Sequence, residues 1–406
     1  MASPLARLRI DLDFMPSPVE DRPGLLIRDP FQYSPAILIL PPPVVQLLDL
    51  FNGVATDLDL REGLVRITGE LDVGDLAKQL TSSLSESGFL HDDVFAGLRE
   101  KAHLEFAAAD VRKPAHAGSA YPNDAAEMTQ VFSKYMQGGE APATAGNLVA
   151  IAAPHVSPEG GIQSYREAYS VLGPDLRDKT FVILGTSHYG APEKFGLTRK
   201  DFLTPLGRAK TDTALVDELA GAAPNAIVPE DYVHSTEHSI EFQAAFLQHT
   251  VAPDVRIVPV LCGSFSHSLY EGGRPEDDEG VRRFFGALGE IAAREADRLV
   301  FVLGVDMAHM GRRYGDAFDA SAGRNEMAEV ETRDRARIDR IATSDARGFW
   351  DLVREREDDL KWCGSSPFYT FLSTVPGLSA ELRRYDQWNI DSTSVVSFGA
   401  MTFHRP

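Results

Sequence analysis

Three short apolar runs constrain the fold of this chain more than any other feature of its sequence. The runs are Leu148–Ala153, Phe181–Leu184 and Leu299–Leu303, and each is bounded by turn-forming or polar residues. Continuous apolar runs of this length are typical of strands that are buried on both faces, and such strands are usually parallel. From Arg112 onward, strand and helix patterns alternate, which predicts βαβ units. The sequence therefore predicts an α/β fold in which helices flank one mostly parallel sheet.

A polar side chain follows each of these runs at nearly the same point. His155 comes after the first run, His188 after the second, and Asp306 and His309 after the third. Ligands of open α/β sheets bind beyond the carboxyl ends of the strands. We therefore expect two or three imidazoles and one carboxylate to converge at one edge of the sheet, as a metal site or around a general base.

The composition restricts the cellular context and the classes of partner. With 406 residues, the chain is longer than one ordinary core, so two domains are expected. The formal net charge of −20 argues against nucleic acid or an anionic membrane and suits a divalent cation or a basic peptide. No apolar run approaches the ~18 residues of a transmembrane helix, and the N-terminus lacks the apolar stretch of a signal peptide. The two cysteines, Cys262 and Cys363, fit a reducing compartment, so we expect a cytoplasmic protein.

Residues 8–95 follow a different pattern from the rest of the chain. Short apolar runs at 25–28 and 36–40 predict paired strands, and prolines 41–43 predict the first turn of a helix. Strands combined with small amphipathic helices favour a small winged-helix-like domain in this region.

A second helix is predicted in this domain from Asp72, a suitable N-cap, and from a stripe of leucines at helical spacing. The stripe consists of Leu76, Leu80 and Leu84. These elements together resemble the peptide-recognition domains related to PqqD, which implies peptide binding. The alternative is a helical cap that packs on the main domain. Residues 96–111 are predicted to form a charged, alanine-rich linker helix, and residues 112–406 the main domain.

Cys363 is the candidate thiolate ligand of the expected site. It lies in the loop Trp362–Pro367, where a thiolate can ligate zinc, iron or copper, although an isolated cysteine is more often a small buried apolar residue. Cys262 follows the predicted strand 256–261 and is expected to be structural. Because neither cysteine belongs to a Cys-x-x-Cys pair, a closed structural zinc site is disfavoured. The open alternative is a site with two histidines, one further ligand and vacant positions.

Two further segments place a histidine near a carboxylate. Asp306 and His309 are three residues apart, as on one helical turn, and an aspartate can fix the tautomer of a histidine and raise its basicity. His238 precedes Glu241 by the same spacing, at a predicted helix start. The alternative for both segments is helix capping with no role in chemistry.

A series of short motifs from about residue 112 to the C-terminus resembles the Memo family, called AmmeMemoRadiSam system protein B in bacteria. The motifs are Pro114–Pro122, Ala153–His155, Leu184–His188, Thr204–Gly207 with Asp212, Glu237–Glu241, Pro259–Leu261, Asp306–Gly311 and Cys363–Gly364. Each motif is short, but the ordered series is specific.

The resemblance implies a fold like that of the class III extradiol ring-cleaving dioxygenases, which hold non-haem iron at the carboxyl edge of the sheet. It implies His155, His188 and Cys363 as metal ligands. The expected metal is Fe²⁺. Copper is the alternative because a thiolate is a soft ligand, and zinc is less favoured.

The resemblance also places His309 where an acid/base histidine stands, beside Asp306. With His238, these residues are the candidate catalytic groups. Bacterial members of the family are linked to a radical-SAM protein and an AMMECR1-like protein, which are the expected partners. If the protein is an enzyme, His309 would move a proton and Asp306 would orient its ring.

The sequence departs from the family pattern around the expected ligands. Val156–Pro158 stands where Ala-Gly-Tyr is usual, Ala120 replaces an aromatic residue, and Tyr189 follows His188. These changes leave the ligands in place but alter the pocket wall, so no substrate can be transferred from the resemblance.

These sequence features are compatible with three functions. The first is a metal-binding protein with a dioxygenase-like site, acting as an oxidoreductase with a radical-SAM partner. The second is a non-catalytic redox or metal-handling scaffold that binds a peptide or protein partner. The third is a structural α/β protein with unligated histidines. An open coordination position would favour the first, and tight copper(I) binding without one would favour the second.

Overall fold

The structure, a computed structural model, describes residues 4–17, 19, 21–139 and 147–406. The chain divides into two compact units, Met1–Ala108 and Ala109–Pro406. Among the helices of the described residues, none combines the length and the apolar character needed to cross a membrane.

The first unit combines a small antiparallel sheet with helices. The strands, in their order in the sheet, are β1 (Asp13–Pro16), β2 (Leu25–Arg28) and β3 (Ile37–Leu40). The α-helices are α1 (Pro42–Val45), α2 (Asp57–Thr68), α3 (Gly74–Glu86) and α4 (Asp93–Ala108). The two predicted strands and the proline-initiated helix are present. The resemblance to PqqD-related domains stays a prediction.

Two helices of this unit differ from the sequence prediction. Helix α3 buries Ala77 in place of Leu76, which is 42% exposed. Helix α2 was not predicted, although its start has a recognisable signal. The backbone N–H and the hydroxyl of Thr56 both donate to the carboxylate of Asp59, at 2.7 Å each. Such a Ser/Thr-x-x-acid pattern at a helix N-terminus is a capping signature that the sequence contained.

Helix α4 is the last element of the first unit, whereas the sequence predicted a linker over 96–111. The reason is Phe95, in the first turn of α4, which is buried in this unit. The guanidinium of Arg9 lies 4.1 Å from the centroid of the Phe95 ring, and Arg9 is itself fully buried and paired with Asp29. A buried cation over an aromatic face fixes the helix to its own domain.

The second unit is an α/β layer structure. Its strands are β4 (Val111–Arg112), β5 (Leu148–Ala153), β6 (Thr180–Thr186), β7 (Phe195–Leu197), β8 (Asp201–Thr204), β9 (Gly207–Thr211), β10 (Arg256–Cys262), β11 (Leu299–Gly304), β12 (His309–Gly311), β13 (Ser379–Asp391) and β14 (Ser394–His404). Its α-helices are α5 (Ala125–Tyr135), α6 (Ile162–Tyr169), α7 (Thr213–Ala222), α8 (His238–Thr250), α9 (Ser266–Tyr270), α10 (Glu279–Arg294), α11 (Glu326–Ala342), α12 (Ala346–Arg354) and α13 (Ser365–Thr374).

The centre of the sheet is parallel, as predicted. The strands β5, β11, β6 and β10 are neighbours in that order, and each adjacent pair is parallel. The antiparallel strand β14 pairs with the outer side of β5. The prediction of a mostly parallel sheet flanked by helices is confirmed, and the carboxyl ends of β5, β11 and β6 meet at one edge.

The core lies on both faces of this sheet. Ala150 and Ala152 of β5 belong to one buried apolar cluster, while Ile151 and Ala153 belong to another. Because alternate residues of a strand point to opposite faces, the two clusters cover the two sides of the sheet. Burial on both faces explains why the sequences of these strands are unbroken apolar runs.

We expect residues 109–406 to fold without the first unit, because this part of the chain has its own buried cores on both sheet faces. Limited proteolysis should cut near residue 108, and an expressed 109–406 fragment should unfold cooperatively on heating. A fragment that shows no cooperative transition would contradict this boundary.

Candidate metal centre

Three candidate residues follow neighbouring strands at the predicted edge. His155 lies two residues beyond β5, His188 two residues beyond β6, and Asp306 two residues beyond β11. The ring centroids of His155 and His188 are 5.1 Å apart. The strand ends therefore bring together the side chains that the sequence predicted to converge.

His238 joins the same cluster from the first residue of helix α8. Its ring centroid lies 5.1 Å from that of His155 and 4.8 Å from that of His188. One potential ligand atom from each of these three histidines lies within 4.8 Å of the other two. The sequence placed His238 among the catalytic groups, whereas the geometry places it among groups that could hold a metal ion.

Cys363 brings a sulfur atom to the histidines. Its Sγ lies 3.2 Å from Nε2 of His155, and the thiol is also a hydrogen-bond partner of His188. Burial opposes ionisation, but His155 and His188 together lower the pKa of the Cys363 thiol to about 7. The hydroxyl of Thr186, the last residue of β6, donates to the carbonyl of Cys363 at 2.9 Å. This hydrogen bond holds the Cys363 loop against the end of β6.

Hydrogen bonds at Nδ1 fix the orientation of two of these rings. Nδ1 of His155 lies 2.9 Å from the carbonyl oxygen of Gly304, and Nδ1 of His188 lies 3.1 Å from both carboxylate oxygens of Glu237. A carbonyl or a carboxylate can only accept, so Nδ1 carries the proton in both rings. In the neutral form of each ring, Nε2 is then the unprotonated nitrogen, which is the usual arrangement of metal-ligating histidines.

Glu237 is the functional residue that the sequence analysis missed. Its carboxylate accepts the backbone N–H groups of His188 at 2.9 Å and Ser239 at 3.0 Å, and it also lies 3.3 Å from Nδ1 of His238. Burial opposes its charge, but His188 holds the pKa of Glu237 well below its ordinary value. Conversely, Glu237 raises the pKa of His188 well above the ordinary value against the effect of burial. The signal was its place in the Glu237–Glu241 motif, where it directly precedes a candidate histidine.

Asp306 supports the loop of His155 and faces its ring. Its Oδ1 accepts the backbone N–H groups of His155 at 2.9 Å and Val156 at 3.2 Å, and its Oδ2 lies 3.6 Å from Nε2 of His155. Burial raises the pKa of Asp306 to about 6. A carboxyl group with such a pKa can hold or release a proton near neutral pH.

His309 is oriented differently from the prediction. No helical turn joins it to Asp306, because His309 begins strand β12. Its Nδ1 lies 3.0 Å from the carbonyl oxygen of Met307 and 3.1 Å from that of Lys361. Backbone carbonyls, rather than Asp306, therefore set its tautomer. Burial lowers the pKa of His309 although Asp306 opposes the effect, so its Nε2 is a proton acceptor.

Cys262 is the last residue of the buried strand β10, and its thiol lies beside Thr370, which is not one of these donors. The residue is fully buried, and burial raises the pKa of its thiol to about 12. A protonated, inaccessible thiol of this kind is a small apolar residue of the core.

The donor set fits a transition metal. Imidazole nitrogens from His155, His188 and His238 and a low-pKa thiol from Cys363 are ligands that iron, copper and zinc accept. Hard oxygen-preferring cations such as Mg²⁺ and Ca²⁺ fit less well, because nitrogen and sulfur donors predominate in this set. Of the two nearby carboxylates, Asp306 faces His155, and Glu237 is already engaged by His188 and His238.

Comparison with known proteins agrees with the family resemblance of the sequence motifs. A family model described as "Memo-like protein" matches residues 112–402. The chain belongs to the Memo family. The matched range includes all of the candidate ligands, whereas the first unit lies outside it.

Several curated relatives are members of the same family. A MEMO1 family protein of Aquifex aeolicus is 25% identical over 385 residues, which cover 93% of this chain and 96% of the relative. One of Thermococcus onnurineus is 29% identical over 310 residues, which cover 73% of this chain and the whole relative. One of Pyrococcus abyssi is 30% identical over 265 residues, which cover 63% of this chain and 84% of the relative. The Aquifex alignment is longer than the second unit, so the similarity to that relative extends into the first unit.

Proposed function

We propose that this Memo-family protein is a metal-dependent oxidoreductase that holds Fe²⁺ through His155, His188 and Cys363. The single observation that carries the proposal is the convergence of two pre-oriented Nε2 atoms and a low-pKa thiol beyond the carboxyl ends of the strands. Rings whose Nδ1 atoms are already engaged lose little conformational entropy when a metal binds, which favours tight binding.

The residues around the ligands are suited to proton transfer. When bound, Fe²⁺ would supply Lewis-acid and one-electron chemistry at positions that the protein leaves open. Nε2 of His309 can accept a proton from a substrate group, because two carbonyls hold its Nδ1–H. Asp306, with a pKa near 6, can hold a proton beside His155. Two acid/base groups with different environments in one site are typical of enzymes that move protons in both directions.

His238 supports a second candidate function. If its ring also binds the metal, three histidines and one thiolate would form a closed four-ligand site. A closed, partly soft donor set suits a redox or metal-handling scaffold, for which copper(I) would be the preferred ion. The coordination number therefore separates the two functions.

Anaerobic titration of the metal-free protein with Fe²⁺ tests the leading proposal. We expect one Fe²⁺ per chain and loss of binding in His155→Ala and His188→Ala. His249→Ala is the matched control, because His249 lies at the opposite end of α8 from His238. Nitric oxide should bind the Fe²⁺ ion at an open coordination position and give an electron paramagnetic resonance signal. His238→Ala should leave both the iron stoichiometry and this signal unchanged.

Unaltered iron binding in both ligand variants would overturn the proposed centre. Tight copper(I) binding without a nitric oxide signal, together with loss of metal in His238→Ala, would favour the scaffold. The partnership with radical-SAM and AMMECR1-like proteins, the peptide-binding role and the cytoplasmic location stay predictions from the sequence.

A further inference from the structure

Helix α11 carries two charged residues that face the interior of the protein. Asp334 and Arg337 lie one helical turn apart, and their side chains are fully or almost fully buried. Removing a charged group from water is unfavourable unless hydrogen bonds and an opposite charge replace its hydration. The contacts of these two residues therefore indicate why they are buried.

The carboxylate of Asp334 accepts hydrogen bonds from three different segments of the chain. Its Oδ1 accepts the indole N–H of Trp362 at 2.6 Å. Its Oδ2 accepts the hydroxyl of Tyr385 at 2.8 Å and that of Ser397 at 2.6 Å. Burial raises the pKa of Asp334, and the hydrogen bonds from these three donors oppose the shift. One carboxylate therefore connects the loop before α13, strand β13 and strand β14.

Trp362 connects this carboxylate to the candidate thiolate ligand, because it directly precedes Cys363. The backbone N–H of Trp362 donates to Asp358 at 3.0 Å, and Asp358 accepts the guanidinium of Arg337 at 2.8 Å. Helix α11 therefore fixes Trp362 through both its side chain and its backbone. Movement of Trp362 would displace the Cys363 sulfur, which lies 3.2 Å from Nε2 of His155.

Ser397 connects the same carboxylate to the segment before His309. The N–H of Ser397 donates to the carbonyl of Ala308 at 2.9 Å, and its carbonyl accepts the N–H of Met307 at 2.8 Å. Its hydroxyl oxygen accepts the N–H of Ala308 at 2.8 Å. Because the single hydroxyl proton is donated to Asp334, the lone pairs are directed towards Ala308. Asp334 therefore orients the group that holds the backbone next to His309.

We propose that Asp334 is a positioning residue that sets the distance between the Cys363 sulfur and the His309 imidazole. Trp362 transmits its effect to Cys363, and Ser397 transmits it to His309. This role rests on the proposed function, because the sulfur is the expected metal ligand and the imidazole the expected proton acceptor. The alternative is a carboxylate that stabilises the fold without influence on the geometry of the site.

Removing the three donors one at a time separates these alternatives, because each variant leaves the buried charge in place. The variants are Trp362→Phe, Ser397→Ala and Tyr385→Phe. Tyr385→Phe is the matched control, because β13 carries none of the candidate ligands or acid/base groups. Trp350→Phe controls for the loss of an indole, since Trp350 is also buried and its N–H donates to the carbonyl of Gly273 at 3.2 Å.

The first measurement is the sulfur-to-cobalt charge-transfer absorption of the full-length protein loaded with Co²⁺ under argon. This absorption depends on the position of the thiolate relative to the metal. Loss of a group that orients a metal ligand typically reduces metal affinity about 10–100-fold, so Trp362→Phe should weaken Co²⁺ binding about tenfold or more and change the absorption. Ser397→Ala, Tyr385→Phe and Trp350→Phe should retain the affinity and the absorption of wild type.

The second measurement needs no metal. It is the ring ¹H–¹⁵N spectrum of metal-free protein labelled with ¹⁵N-histidine, in which His309→Gln and His155→Gln identify the two signals. Ser397→Ala should shift the His309 signal, and Trp362→Phe should shift the His155 signal through the displaced sulfur. Tyr385→Phe should shift neither.

Asp334→Asn should combine both effects, because it keeps the size of the side chain but replaces one acceptor by a donor. Wild-type cobalt absorption and histidine signals in Trp362→Phe and Ser397→Ala, with only a lower thermal midpoint, would overturn the proposal and leave a carboxylate that stabilises the fold. Changes of the same size in Tyr385→Phe would overturn it as well, because the effect would then be a general loosening of the domain.

Failure of the proposed function gives a different result. Wild-type protein that binds no Co²⁺, or binds it without sulfur-to-cobalt absorption, would contradict the proposed centre with Cys363 as a ligand. The histidine spectra of the metal-free variants would then decide on the positioning role by themselves.

Discussion

Cys363→Ser is expected to remove most of the metal binding while the protein stays folded. The Sγ atom lies 3.2 Å from Nε2 of His155, and a hydroxyl is a poor ligand for a soft metal. Loss of partners that only support the ligands typically costs 10–100-fold in affinity, so loss of a ligand should cost more than roughly 100-fold. Iron content measured in the presence of a competing chelator checks this expectation.

The fold should survive this change because the loop is held by its backbone. Thr186 donates to the carbonyl of Cys363, and the N–H of Gly364 donates to the carbonyl of Asp306 at 3.0 Å. Neither bond involves the thiol. The thermal midpoint of metal-free Cys363→Ser should therefore equal that of metal-free wild type.

Cys262→Ser is the matched control, since it makes the same chemical change at the other cysteine. Cys262 is fully buried in the apolar cluster at the end of β10 with Thr370 beside its thiol, so a hydroxyl placed there costs at most roughly 1–3 kcal/mol of folding free energy. This variant should lose thermal stability and keep its metal. Equal iron content in wild type and Cys363→Ser under the chelator would reject Cys363 as a ligand.

The strands that carry the site could be predicted because they are buried on both faces. β5, β6 and β11 are unbroken apolar runs, and parallel central strands have no polar face to interrupt the pattern. Strand β13, by contrast, was missed because its residues are largely polar and partly exposed, as suits an antiparallel partner of β14. A strand with such a sequence has no apolar run to reveal it.

The candidate ligands could be proposed from their positions after the strands and from the family resemblance, but the backbone groups that orient the histidine rings could not. The rings of His155 and His309 are fixed by backbone carbonyls of Gly304, Met307 and Lys361. A backbone carbonyl has no signature in sequence, because every residue carries one. The spacing of Asp306 and His309 therefore suggested a direct pair, although the chain between them is not helical.

Glu241→Ala is expected to destabilise the protein by about 3–5 kcal/mol, because it would leave a buried guanidinium without its counter-ion. Glu241 is fully buried in helix α8 and pairs with Arg112, which is also fully buried. Its carboxylate further accepts the hydroxyl of Tyr121 and the backbone N–H groups of Ala115 at 3.0 Å and His116 at 2.9 Å. The measurement is the free energy of unfolding from denaturant titration.

The control is another glutamate–arginine pair, placed on the surface. Glu218 lies 2.7 and 2.8 Å from the guanidinium nitrogens of Arg294, but its side chain is 42% exposed. Glu218→Ala should therefore cost less than about 1 kcal/mol. Similar losses of unfolding free energy in Glu241→Ala and Glu218→Ala would show that burial of the Glu241–Arg112 pair does not determine its contribution to stability.

The cost of Glu241→Ala should also depend on pH. Burial opposes ionisation of Glu241, but Arg112 and His116 hold its pKa below the ordinary value of 4.5. A carboxylate with a lowered folded-state pKa contributes its stability above the unfolded-state pKa and loses it as the pH falls through the folded-state value. The difference in unfolding free energy between wild type and Glu241→Ala should therefore be constant near neutral pH and shrink below about pH 4.5. A difference that grows on acidification would mean that the carboxylate is not the charged partner of Arg112 in the folded protein.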